Sequence, residues 1–209
     1  MSKSAECSSL SLRRLVMVLG LLSPFGLFSA LIHHPALALP GQSVEEVAGW
    51  IQTHPTLQPE SGETLLVRKS DTPARRFTFE ALTTSPGRAA NNLSSSIIRT
   101  ERISLFDTTN GVSRDRLEDS LRVIYGDDIY QDYQQAQVVY QYPTPQMLSE
   151  AQNQAAPLRG SIQGEIRQGG RFAYLTETVQ TLSGEAYTGQ ISIFLIEDVN
   201  KLEVELQGR

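Results

Sequence analysis

Residues 159–181, RGSIQGEIRQGGRFAYLTETVQT, decide the architecture. Ile162, Gly164 and Ile166 recur at every second position before Gly169-Gly170, and after it Ala173, Leu175 and Val179 alternate with Phe172 and Tyr174. A period of two puts such residues on one face of an extended chain. A Gly-Gly pair between two such runs has the composition of a hairpin turn. Working outward toward the C-terminus, 182–185 (LSGE) turns the chain again, and 186–196 brings Ile191, Ile193 and Leu195 to one side. Stretch 201–207 alternates Leu202, Val204 and Leu206 with Lys201, Glu203 and Glu205. The expectation is a C-terminal β-meander of antiparallel strands whose last member has one solvated face.

Upstream of the meander, 143–158 (PTPQMLSEAQNQAAPL) reads as a linker or a long loop with one helical turn, and 136–142 as a strand rich in Val and Tyr. Before these, Ser113 caps a helix with Asp115 in its first turn. Leu117, Leu121 and Ile124 form its apolar stripe, Gly126 ends it, and an acidic bridge follows over 127–132. Strands are expected at 64–69, 76–82 and 97–106, with turns at 70–73 and 107–111 and an exposed loop at 83–95. Ser43-Val44-Glu45-Glu46 is a capping box opening a helix whose Val44, Val47, Trp50 and Ile51 share a face, and Pro55 stops it near Thr53. Those four side chains contribute at most about 2 kcal/mol each on burial, whereas ordering the ten residues costs roughly 10–15 kcal/mol of backbone freedom. The helix therefore exists only against something larger. The fold class is α+β: two short amphipathic helices packed on a mostly antiparallel β-sheet of six to eight strands, with a C-terminal β-meander. Pattern alone leaves open whether 159–209 completes that sheet or stands apart.

At the front, 15–32 (LVMVLGLLSPFGLFSALI) carries no charge, Arg13-Arg14 precede it, and Ala36-x-Ala38 closes it with small residues. Together these read as a signal peptide over 1–38 with cleavage after Ala38. An uncleaved anchor is the alternative, because eighteen apolar residues reach the lower limit for crossing a bilayer. Either way residues 39–209 form a single extracytoplasmic domain. Removing Lys3, Arg13, Arg14 and Glu6 from the 18 basic and 23 acidic residues leaves 15 and 22 in that domain, a net charge of −7. This balance disfavours nucleic acid as a partner. The sole cysteine is Cys7 and the sole histidine beyond residue 38 is His54. Thiol chemistry, disulfides, Cys-ligated metals and multi-histidine sites are thereby excluded from 39–209. No GxSxG, phosphate loop or GxGxxG occurs. No catalytic residue and no cofactor is expected.

The remaining candidates are interaction residues. Arg68 and Lys69 on one expected strand and Arg75 and Arg76 on the next converge at one end of a hairpin, where they suit an anion or an acidic surface or guard a sheet edge. Tyr130 and Tyr133 lie in the acidic bridge, and tyrosines of this kind recur at protein interfaces. Asp115 and Asp119, four apart on a helix, share a face and are weak candidates for a divalent cation; the interleaved Arg114, Arg116 and Arg122 compete for them. The Ala36-Leu37-Ala38 region followed by Leu39-Pro40-Gly41, the preference for Gln and Arg over Lys, and QDYQQAQVVYQYP at 131–143 resemble uncharacterised exported proteins of cyanobacteria. The resemblance spreads over the whole chain without a specific motif. It implies the periplasm or thylakoid lumen and association with a membrane complex. The expected function is a non-catalytic extracytoplasmic interaction or accessory protein with a protein partner at or near a membrane. The alternative is a small-ligand or divalent-metal-binding accessory domain, and the third reading is a hydrolase without a recognisable motif.

Overall fold

A computed structural model describes residues 39–87, 96–153 and 160–208. The leader with Ala36 and Ala38, and most of the 83–95 loop, lie outside these. Helix α1 (Val44–Thr53) precedes strands β1 (Leu66–Thr72), β2 (Arg75–Leu82) and β3 (Thr100–Asp107). Then come α2 (Arg114–Tyr125), α3 (Asp127–Gln135), β4 (Gln137–Tyr142) and α4 (Pro145–Asn153). Strands β5 (Ile162–Gln168), β6 (Ala173–Gln180) and β7 (Ala186–Phe194) follow, then a 3-10 turn (Ile196–Asp198) and α5 (Val199–Gln207). All seven strands join one sheet in the order β1-β2-β3-β7-β6-β5-β4, and every pairing is antiparallel. Two meanders meet where β7 lies beside β3, so 162–194 completes the sheet begun upstream.

The expectation of two helices is corrected to five among the described residues, and each addition has a local cause. The acidic bridge is α3: Asp127 and Asp128 sit in its first turn, where the amide dipoles favour them, and Ile129 and Tyr133, four apart, are buried. Gly126, with φ of 80°, lets α2 stop and α3 start in a new direction. The expected linker contains α4, which starts like a designed helix: Thr144 Oγ1 accepts the amide of Met147, and Pro145 occupies the first helical position. The expected last strand is α5. Its residues alternate, but Val199, Leu202 and Leu206 also stand at helical spacing, and those three are buried while Val204 is exposed. The helical stripe uses Val199, which the strand reading left outside. The meander accordingly ends with β7.

Each face of the sheet supports a core. Helices α1, α2 and α3 cover one face, where Val67, Phe79, Ile103, Ile191 and Tyr174 meet Val47, Ile51, Leu117, Leu121 and Ile129. Helix α5 covers part of the other, against Ile166, Ala173, Leu175 and Phe194. Asp198, fully buried, ties its start to Arg99 at 2.8 and 3.0 Å. The capping box of α1 is present in full. Gly189 fixes the closest approach of α2. A Cβ there would stand 3.1 Å from Leu117 Cδ1 and 3.0 Å from the Glu177 carbonyl, so a larger residue requires these neighbours to give by a few tenths of an ångström.

Candidate functional site

Where α2 begins, the sheet face beneath it changes character. Gln141, Glu165 and Thr176 form one cross-strand row on β4, β5 and β6, and Gln163 with Thr178 begins the next. These residues floor an open groove of about 840 Å³. The β3–α2 loop, Thr108 to Ser113, with Arg114 at its end, also lines it, as do Tyr142 and Pro143 at the end of β4, Leu148 of α4, and hairpin residues Gly184 to Tyr187.

The loop wall is fixed by Asp107. Its Oδ1 accepts the amides of Thr109 and Asn110, both at 2.9 Å, and Oδ2 accepts Arg116 at 3.0 Å. The Asn110 amide foremost, then the other donors, hold this carboxyl well below the usual range against the opposing effect of desolvation. The Val112 amide donates to the Ala186 carbonyl at 2.7 Å, lashing the loop to the start of β7. On the other face of the sheet, in the core with Ile166 and Leu175, the Tyr142 ring lies across Gly164, where a Cβ would collide with the ring's hydroxyl end.

The charges at the α2 end of the groove are matched internally, while Glu185 at the hairpin end accepts only hydroxyls, from Tyr187 at 2.7 Å and Ser183 at 3.5 Å. Glu165 is 3% exposed and receives Arg114, Arg167 and the Gln141 amide. Arg114 also pairs with Glu118 at 2.9 Å, and Glu118 accepts the Tyr133 hydroxyl at 2.8 Å. Burial, with Glu118 adding to it, pushes the Tyr133 phenol up, so it remains a neutral donor. The Gln163 and Gln180 carboxamides bond each other reciprocally at 2.8 and 2.9 Å. Beyond buried Thr176 and Glu165, the accessible part of the floor is Gln163 and Thr178, amide and hydroxyl groups that donate and accept alike and suit a neutral hydrogen-bonding ligand.

The one histidine beyond residue 38 has a structural place away from the groove. His54 Nδ1 accepts the amides of Thr56 and Leu57, which leaves the proton on Nε2, 3.0 Å from the Ile124 carbonyl. Desolvation lowers its pKa. The ring is a staple between the end of α1 and the end of α2, remote from the groove lining. Among the described residues no group of three or more His, Cys, Asp or Glu side chains is placed to hold a metal, and no helix is long and apolar enough to cross a membrane.

The residues singled out from sequence are dispersed. Tyr133 is 1% exposed and packs edge-on to Tyr174 under the Arg167 guanidinium, so its ring faces inward. Tyr130 is half-buried beneath Arg122. Asp115 and Asp119 lie exposed on α2, the latter 3.1 Å from Arg122. Lys69, Arg75, Arg76 and Arg116 all line a separate hollow of about 210 Å³ at the turn end of the β1–β2 hairpin, but the register sets Arg76, stacked on Phe106, on the opposite sheet face from Lys69 and Arg75; Arg68 does not line it. The groove-floor residues were missed. Their signal is an unusual run of inward-facing polar residues, 163 and 165 on β5 and 176 and 178 on β6, at positions where a covered strand carries apolar ones. No family model matches the chain, and no curated protein or solved structure does.

Proposed function

We propose that residues 39–209 form a non-catalytic extracytoplasmic binding domain that takes an extended segment of a protein partner into the groove, at or near a membrane complex. The observation that carries this reading is the groove's neutral floor. Arg114 and Glu165 are already paired, Glu185 stands at the hairpin end where it accepts the Tyr187 hydroxyl, and the rest of the lining is rich in amides and hydroxyls of the kind that satisfies a peptide backbone. The groove reaches edge strand β4, whose 137–142 stretch QVVYQY is uncharged and whose Val138 and Val139 are 46% and 41% exposed. An extended segment lying there meets apolar side chains and free strand-edge groups together. The export half of the proposal rests on the charge and hydropathy pattern of 1–38.

The test is site-specific cross-linking. A photoreactive side chain placed at Gln163 or Thr178, in the full chain in its own membranes, should capture one partner of constant size from both positions. The same group at exposed Asp119 should not. Equal capture from all three positions, or none from the groove, rejects the reading. Loss of cross-links on adding a dialysable small molecule from the same extract replaces the protein partner with a small polar ligand in the same groove.

A further inference from the structure

We propose that the groove selects a partner segment bearing a lysine or arginine, whose cationic side chain pairs with the Glu185 carboxylate at the hairpin end; this deepens the proposed function and rests on the groove being where the segment lies. Three formally charged side chains line the groove, Arg114, Glu165 and Glu185. The first two are taken up by each other, and Arg114 is shared further with Glu118. Glu185 has no cationic partner among the described residues. Its Oε2 accepts both the Tyr187 hydroxyl at 2.7 Å and the Ser183 hydroxyl at 3.5 Å, and its Oε1 accepts no hydrogen bond from a described residue. An ionised carboxylate has about four acceptor positions over its two oxygens. Two hydroxyls on one oxygen leave the other open to a charged donor.

Glu185 is exposed, yet it is held on the groove side. Alternation along β7 puts Tyr187 on the sheet face of Gly189 and Ile191, the face that α2 meets. The Tyr187 hydroxyl then keeps the carboxylate on that side. The main chain beneath is braced: the Glu185 carbonyl accepts the Thr181 amide at 2.7 Å and its hydroxyl at 3.0 Å, and the Ala186 carbonyl accepts the Val112 amide at 2.7 Å. Little backbone freedom is left to lose when a cation pairs there. A basic segment also approaches a chain of net charge −5, which favours encounter. A segment with an acidic residue at the same point meets like charge and is turned away. As an exposed contact, the pairing acts on selectivity and salt dependence more than on raw affinity.

The measurement uses the full chain in its own membranes with the photoreactive group at Gln163, where cross-link yield reports occupancy. Wild-type yield is expected to fall as sodium chloride is raised. Glu185→Gln, whose carboxamide oxygen still accepts the Tyr187 hydroxyl, lowers the low-salt yield about threefold to fivefold and flattens its salt dependence. Glu185→Lys lowers it by more than about tenfold. Both variants keep the wild-type unfolding midpoint. Gly189 shares a cross-strand row with Gln163 and Thr178, and Glu185 stands four residues before it. Peptide mapping should therefore find Lys or Arg within about five residues of the attachment point on the captured segment. Changing that residue to Glu in the partner restores capture by Glu185→Lys. Equal yields from the wild type and both variants overturn the selectivity and leave the groove standing, as does a mapped segment with no basic residue in reach. A loss of yield that tracks a fallen unfolding midpoint also overturns it, by giving Glu185 a structural role. No capture from Gln163 in the wild type removes the groove itself, and the selectivity with it.

Discussion

One face of one sheet is built two ways. Toward the end covered by α1, α2 and α3 its strands present Val67, Phe79, Ile103, Ile191 and Tyr174, all buried. A few residues along, the same alternation on β4, β5 and β6 places Gln141, Gln163, Glu165, Thr176 and Thr178 under an open groove that only the start of α2, through Arg114, reaches among the described helices of this face. The frontier runs past Gly189, where Leu117 of α2 comes down onto the sheet. The difference is one of side-chain identity rather than backbone. Pressing a helix onto apolar residues releases water at about 25 cal/mol per Å², whereas pressing it onto a row of amides and hydroxyls strands hydrogen-bonding groups at a cost of roughly 1–3 kcal/mol each. The groove is open because its floor does not reward covering.

The sharpest way to break the comparison is to damage the covered half. Leu121 is fully buried between α2 and the sheet. Leu121→Ala is expected to lose roughly 2–5 kcal/mol in a denaturant titration of the full chain. A loss below about 1 kcal/mol would mean that the helix does not depend on that face, and the contrast with the groove would lose its basis.

The covered half holds one group that violates its own rule. Glu101 is 1% exposed on β3; one oxygen accepts the Tyr125 hydroxyl at 2.6 Å and the other has no hydrogen-bond partner. Desolvation raises its pKa to about 7, partly offset by the Tyr125 bond. The folded chain therefore keeps a proton that the unfolded chain releases near pH 4.5, and Glu101 subtracts stability progressively as pH rises from about 4.5 to 7. His54 acts in the opposite direction. Its lowered pKa means that the unfolded chain takes up a proton more readily, so its contribution is lost as pH falls below about 6.5. Glu101→Gln removes the first effect and keeps an acceptor for Tyr125. The variant should exceed the wild type by on the order of 2–3 kcal/mol at pH 8 and match it at pH 4. A constant difference at both values would show that the carboxyl does not titrate in the core.

How much of this was legible in the sequence depends on which competing pattern each segment carried. Helices α1 and α2 announced themselves by cap and stripe, and Gly169-Gly170 marked the β5–β6 turn correctly, because each had one consistent signal. Stretch 199–207 carried two: Leu202, Val204 and Leu206 fit a strand, and Val199, Leu202 and Leu206 fit a helix. Only the presence of Ile166, Leu175 and Phe194 beneath it decides in favour of the helix. Residues 127–132 looked like a bridge because six of the nine residues of Asp127–Gln135 are Asp or Gln, though two well-spaced buried side chains suffice when α2 lies alongside. The groove was invisible for a different reason. Alternation shows that Gln163, Glu165, Thr176 and Thr178 share a face, but only strand order shows that this is the face α2 leaves uncovered. Of the hairpin cations, Lys69 and Arg75 share a sheet face near the β1–β2 turn, while alternation along β2 sends Arg76 to the other face.

At the frontier itself, Tyr133→Phe sharpens the comparison. The Tyr133 hydroxyl donates to Glu118, which also binds Arg114, and Arg114 reaches Glu165 on the groove floor. Deleting that hydroxyl leaves Glu118 with one donor fewer at little change in volume. A loss of about 1 kcal/mol is expected in urea titration. No change at all would show that the network is idle and that the groove's charges are organised by Glu165 alone.

The smallest expected effect on stability is in the groove floor, and it is the most informative. Thr178 is half-buried and Gln163 exposed, and neither supports a helix. Thr178→Val keeps shape and exchanges a hydroxyl for a methyl. Gln163→Leu removes one half of the reciprocal amide pair with Gln180. Each should shift stability by less than about 0.5 kcal/mol, as surface changes do, because the groups they remove are solvated in the free protein. Binding is another matter. A partner segment that gave up water to bond these groups now meets apolar surface, and its own donors and acceptors are left without partners, at roughly 1–3 kcal/mol each. Cross-linking from a photoreactive group at Gln180 in the double variant should therefore fall at least tenfold while the unfolding midpoint hardly moves. If instead the double variant is markedly destabilised, the floor is part of the core and no longer a binding surface. If both stability and cross-linking are unchanged, the partner lies elsewhere.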